Sequence, residues 1–195
     1  MAGILDALQE WPVAFLDTET TGLGARDRIV EIAIRTVDPS GETRDWESLV
    51  RSPVPIPGDA ERIHGISNEM IGAARSWWEL EGTVRSLLEG RVVVAHSARF
   101  DATMIGKEWG QHPPPCAWLC SLTLAKKILP GLLSYSLGNL LRALGVEPEG
   151  PAHRAAGDVA ALATLWRILG DRGLGRESLA SLISASGTRQ FNGMV

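Results

Sequence analysis

Cysteine is scarce in this chain: Cys116 and Cys120 are the only two among 195 residues, too few for the disulfide framework of a secreted scaffold. With His112 they form a four-residue ladder that on one helix could suggest a soft-metal site. Pro113-Pro114-Pro115 interrupts any helix there, so reduced, partly buried thiols are expected instead. Long apolar runs are also missing, and none reaches the length of a membrane span. Met1 to Trp11 has no basic segment followed by a long apolar core, so neither a signal peptide nor a membrane partner is expected and the expected location is cytoplasmic. Positive charge is in short supply. A net charge of −4 and a pI near 5.6 argue mildly against a nucleic-acid binder, an objection that weakens if several acids are metal ligands. Lysine is outnumbered by arginine three to sixteen; arginine suits bidentate phosphate contacts, although genomic base composition produces the same bias. No internal repeat is visible.

What is present is an ordinary globular composition, 45% hydrophobic and 22% charged, on a chain long enough for one sizeable core. One domain over 1–185 is expected, with a loose, flexible tail over 186–195. Val13 to Asp17 reads as a buried strand. Arg28 to Val37 alternates like a strand, Asp38 to Gly41 is a turn, and Glu42 to Arg51 returns, so the three form an antiparallel meander. Residues 52–58, with three prolines, read as a loop. A capping box, Ser76 with Glu79, opens a helix whose apolar face is Leu80, Val84, Leu87 and Leu88. Arg91 to Ala95 carries three valines and fits a parallel strand buried on both faces. Helices follow over Phe100 to Trp109 and Ser121 to Leu129, around Leu137 to Leu144 and Val159 to Leu169, and over 176–184. A weak strand at Trp118 to Ser121 would make the sheet five-stranded. The order describes an α/β domain with a mixed sheet flanked by helices.

Asp17 and Glu19, two residues apart at the end of the first strand, point to the same face. Such a pair is costly to bury without a neutralising charge, for which a hard divalent cation is the natural candidate. Asp101 lies near the start of the helix that follows the valine strand. His153 and Asp158 are five apart, a spacing that separates their faces on one straight helix, so His153 belongs in the preceding loop and Asp158 on an early turn. Asp17, Glu19, Asp101 and Asp158 are together enough to hold two Mg²⁺ or Mn²⁺ ions with waters and a substrate phosphate. His153 could then take a proton from the attacking water.

Three segments, Asp17-Thr18-Glu19-Thr20-Thr21-Gly22-Leu23, His96-Ser97-Ala98-Arg99-Phe100-Asp101 and His153-Arg154-Ala155-Ala156-Gly157-Asp158, resemble in order the three motifs of the DnaQ-like exonucleases, DEDDh branch. Ile63-His64-Gly65-Ile66 and Leu119-Cys120-Ser121-Leu122 with Pro130-Gly131 are similar to secondary signatures of that family. The resemblance covers roughly residues 11 to 170. It implies a ribonuclease H-like fold and metal-dependent 3′-to-5′ release of nucleoside monophosphates from single-stranded ends. It implies direct metal ligation by Asp17, Glu19 and Asp158, an Asp101 acting on the second metal, and His153 as general base. It further implies terminal-nucleotide contacts from Thr20, Gly22, Leu23, His64 and Phe100, with Asp59 aligning with an acidic substrate-contact position. Ser97 departs from the family's usual asparagine.

DNA is the expected substrate, in proofreading or repair, with a DNA polymerase or replication complex as an expected partner. Thr20 tips the choice, because oligoribonuclease-like members usually carry methionine there. The alternatives are 3′-to-5′ RNA trimming and a non-catalytic nucleic-acid or polymerase-binding module, though such a module should have lost acids that this chain keeps. Around the motifs, Arg99 and Arg154 could contact phosphates or simply be solvated. Trp77-Trp78 could stack bases or pack in the core, and His96 reads as a packed strand-end histidine.

Overall fold

Alternation along the first apolar stretch divides the interior into two layers. In the computed structural model, which describes residues 11–110, 113–147 and 153–174, the elements run in chain order as follows. The first half holds β1 (Val13–Thr20), β2 (Ile29–Val37), β3 (Thr43–Arg51), α1 (Gly58–His64), α2 (Asn68–Gly72), β4 (Arg75–Ser76) and α3 (Trp77–Leu88). The second holds β5 (Val92–Ala95), α4 (Ala98–Trp109), β6 (Ala117–Cys120), α5 (Ser121–Ile128), α6 (Leu137–Ala143) and α7 (Ala155–Leu169), which runs on into a π-helical turn, Gly170–Leu174. The expectations for His112, for a helix over 176–184, and for the domain limit and tail beyond 185 fall outside the described residues.

The strands form one mixed sheet of order β4-β3-β2-β1-β5-β6. β1, β2 and β3 are the expected antiparallel meander, and β5 and β6 add in parallel beyond β1. Val13 and Phe15 of β1 face α5, α6 and α7, while Ala14 and Leu16 face α3 and α4. Val92 and Val94 of β5 join the first layer and Val93 the second, which is why that strand reads as an unbroken apolar run. A hydroxyl and a carbonyl fix the end of β5: His96 bonds Ser121 Oγ at 2.9 Å through Nδ1 and the Tyr135 carbonyl at 2.8 Å through Nε2, the packed role expected of it. Both cysteines are free and buried, as expected.

Among the described residues the sheet has six strands where five were expected. The sixth, β4, is two residues paired with Val50 and Arg51, too short to leave any alternation in the sequence. It feeds directly into α3, whose first turn is held as foreseen: Glu79 Oε2 accepts the Ser76 N–H at 2.8 Å and its hydroxyl at 2.7 Å. Two short helices, α1 and α2, also went unread. Each is too short for a helical period to register, and α1 stops at Gly65, whose φ of +71° suits glycine and whose N–H reaches the Glu61 carbonyl. Between them Ile66 joins Val30, Ile56 and Ile71 in a small satellite core.

Candidate active site

β1 delivers its two acids to the face that α7 covers. Asp17 continues the parity of Val13 and Phe15, and Glu19 follows it. Thr18 takes the opposite face, where its hydroxyl donates to Asp101 Oδ1 at 2.9 Å across the buried contact with α4. Register slips at the end of the strand: Glu19 pairs with Glu31 but Thr20 with Ile29, leaving Val30 as the extra residue. Such bulges re-aim side chains where a strand ends. The following loop is clamped by Asp27, which accepts the Thr21 hydroxyl at 2.9 Å and the Gly24 N–H at 2.6 Å. A Cβ at Gly22 would stand 2.8 Å from Asp27 Oδ2 and push that carboxylate aside.

On the far side, His153 occupies the loop before α7, exposed, with a φ of +60°. Its N–H donates to Asp158 Oδ2 at 3.1 Å, and Asp158 itself sits in the first turn of α7. This is the loop-and-early-turn placement that the five-residue spacing predicted. Donor atoms of Glu19, His153 and Asp158 lie within 4.8 Å of one another, close enough to share one cation.

The acids feel each other strongly. Burial, and then the negative charges of Asp101, Asp158, Glu19 and Glu31, raise Asp17 well above the usual carboxylate range. Burial together with Asp158, Glu31 and Asp101 pushes Glu19 up to about 8, against a pull downward from Arg154. Burial raises Asp101 to about 7 although the Thr18 hydroxyl favours its ionised form. Asp158 is raised by burial, with His153 opposing. Asp17, Glu19, Asp101 and Asp158 therefore form one electrostatic unit drawn from β1, α4 and α7.

The expected nucleotide contacts are distributed unevenly around that unit. Leu23 is 85% exposed on the loop after β1. With Phe100 it lines a cavity of about 600 Å³ whose rim carries Arg99 and Lys107. Thr20 is buried, and its hydroxyl donates to the Gly22 carbonyl at 2.8 Å. His64 is buried too; Nδ1 accepts the Ile66 N–H at 3.0 Å, and Nε2 finds no hydrogen-bond partner of good geometry among the described residues. Asp59 stands exposed in the first turn of α1, and among the described residues no hydrogen bond or ion pair joins it to the acids. The tryptophan pair divides: Trp77 packs edge-on against Trp109 at 5.0 Å, and Trp78 is exposed.

Ser97 shows why asparagine would serve at this position. The residue has a φ of +71°, a left-handed conformation that asparagine tolerates better than serine. Its side chain makes no cap to α4.

Glu31 is the site residue that the sequence pattern hid. It alternates with Ala33 and Arg35 and so reads as part of a polar strand face, but α7 covers that face here and leaves Glu31 3% exposed. Arg154, read as a phosphate contact or a solvated side chain, is its partner: Nη2 reaches Oε1 at 2.7 Å and Nε reaches both oxygens at 3.2 and 3.3 Å. The Ala155 N–H adds a fourth bond at 2.9 Å. The available signal was a glutamate with apolar neighbours on both sides, Val30 and Ile32.

The exonuclease family RNase_T matches residues 14–166. An uncharacterized exonuclease, CP81, of Escherichia phage 186 is 36% identical over 159 residues, 74% of this chain and 80% of its own. The DNA polymerase III subunit epsilon of Treponema pallidum is 33% identical over 154 residues, 75% of this chain and 71% of its own. Among solved structures, Exonuclease X in complex with 5′ overhanging duplex DNA superposes with a TM-score of 0.73 at 27% identity, over 90% of this chain and 99% of that one. The mixed sheet between helix layers is thus the ribonuclease H-like fold. No helix among the described residues is long and apolar enough to cross a membrane.

Proposed function

The chain belongs to the exonuclease family, and on that premise we propose that it removes nucleoside monophosphates from the 3′ ends of single-stranded DNA, with two divalent cations and His153 as general base. The convergence of Asp17, Glu19, Asp101 and Asp158 into one coupled unit beside an exposed histidine carries this reading. The donor set fits the cations: all four groups are hard oxygen ligands, and burial with mutual repulsion makes their joint ionisation unfavourable until positive charge is supplied. Asp17, Glu19, Asp101 and Asp158 would hold two Mg²⁺ or Mn²⁺ ions. When bound, such a pair stabilises the charge on the attacking and leaving oxygens of a phosphodiester.

The protein's own groups do the rest. His153 accepts the proton of a water whose oxygen attacks phosphorus. The bond from phosphorus to the upstream 3′-oxygen breaks, that oxygen takes up a solvent proton, and the 5′-monophosphate departs. Leu23 and Phe100 flank the terminal nucleoside, with Thr20, Gly22 and His64 behind it. The cavity rimmed by Arg99 and Lys107 offers the upstream strand an apolar floor and cationic edges. Asp59, exposed on the same short helix as His64, would meet substrate only at its margin. Similarity to a polymerase III epsilon subunit favours DNA and a polymerase partner; the same chemistry on RNA is the alternative.

The test is digestion of end-labelled single-stranded DNA and of the matching RNA with Mg²⁺, Mn²⁺ or chelator. Stepwise loss of 3′ nucleotides from DNA in metal alone is expected. Intact ends on both polymers would leave only a binding module, and faster loss from RNA would reassign the substrate.

A further inference from the structure

Arg154 is a cation at the mouth of a site that has to attract other cations. Its guanidinium lies within electrostatic reach of Glu19, whose ionisation it favours. Left free, it is a built-in competitor: a guanidinium matches a carboxylate bidentately and is always charged. Glu31 engages it instead. The carboxylate is nearly enclosed, with 4% of its side chain exposed against 40% for Arg154, and it spends both oxygens on Arg154 and on the Ala155 N–H. Glu31 is also the cross-strand partner of Glu19, so the guanidinium is held one strand away from the acid it would otherwise neutralise. The same bonds tie the start of α7 to β2, immediately after the left-handed turn at His153.

We propose that Glu31 is a positioning residue that sequesters Arg154, keeping Glu19 and Asp158 free for a divalent cation and anchoring the turn that presents His153. The proposal rests on reading the acid cluster as a cation site. Charge bookkeeping alone would let Glu31 act as one more acid near the metal. Sequestration makes a sharper claim, because it predicts that the loss of cation affinity on removing Glu31 is undone by also removing Arg154.

Mn²⁺ binding to the whole protein, followed by electron paramagnetic resonance of the free ion at pH 7.5, reads this without turnover. Glu31→Gln keeps the shape and the acceptor for Ala155 but frees the guanidinium, and is expected to weaken Mn²⁺ binding about tenfold or more. Glu31→Gln with Arg154→Met is expected to return affinity to within about threefold of wild type, because the competitor is gone and a neutral pair replaces a half-buried ion pair. A folded double variant that binds as weakly as Glu31→Gln alone, or a Glu31→Gln protein that binds as tightly as wild type, overturns the proposal. If Glu31→Gln alone does not fold, a folded double variant that binds Mn²⁺ well beyond about threefold more weakly than wild type overturns the proposal. Failure of the wild-type protein to bind Mn²⁺ would remove the cation site itself and the proposal with it. Single-turnover assays add the positioning readout: the double variant should recover Mn²⁺ affinity while keeping a depressed single-turnover rate constant, since the tie between β2 and the His153 turn is lost.

Discussion

Raising the pH of the metal-free protein from 6.5 to 8 is expected to destabilise it, which is opposite to the behaviour of a protein held by ordinary salt-bridged carboxylates. The cause is Glu19. An acid whose folded-state value is raised keeps its proton in the fold and releases it on unfolding, so its contribution is fully present below about 4.5 and drains away as pH climbs to about 8. His64 and His96, both lowered by burial, work the other way and add stability as pH rises toward 6.5. Above 6.5 their contribution is complete, and the loss from Glu19 is joined by one of the same sign from Asp17, raised well above the usual carboxylate range, and by a smaller one from Asp101, raised to about 7. The interval from 6.5 to 8 corresponds to about 2 kcal/mol for Glu19, or about 4–8 °C in melting temperature for a chain of this size. Thermal melts in chelator at half-unit pH steps measure it. Saturating Mg²⁺ should abolish the slope, because the cation binds only the ionised fold. A metal-free melting temperature that holds or rises between pH 6.5 and 8 would refute the coupling of these acids.

Asp17→Ala should abolish turnover yet leave the metal-free melting temperature at pH 8 unchanged or higher, since it removes a centre of mutual repulsion; a large fall would contradict the account. His153→Ala should lower kcat on oligonucleotides about 10²–10⁴-fold with Mn²⁺ affinity nearly kept, as single-turnover kinetics and metal titration together would show. Ser97→Asn should raise stability by about 1 kcal/mol by relieving a left-handed serine, measured by urea unfolding. Gly22→Ala should raise KM more than it lowers kcat, because its Cβ displaces the Asp27 carboxylate that shapes the loop carrying Leu23.

Much of this was legible because periodicity records burial. An apolar run placed β1, alternation placed β2 with β3 returning beside it, and helical spacing placed the apolar faces of α3 and α6. The five-residue gap between His153 and Asp158 was enough to divide them between a loop and a helix turn, as found. Where an element is shorter than the period that would reveal it, the pattern fell silent: β4 has two residues and α2 has five. Glu31 escaped for a different reason. Its alternation was read correctly, but whether a polar strand face meets water or a helix depends on where α7 crosses the sheet. Arg154 changed meaning with it, from a loose cation to a bound one.

Local sequence determined which carboxylates exist, which face of β1 carries Asp17 and Glu19, and that Asp158 starts a helix, because these follow from backbone geometry over a few residues. The tertiary structure decided that acids more than a hundred residues apart share one electrostatic environment, with Glu19 held to about 8. It also decided that Ser97 takes a left-handed turn and that Glu31 restrains Arg154. Desolvation, Coulomb coupling and ion pairing depend on distance in space, and the packing of α4 and α7 across β1 sets those distances.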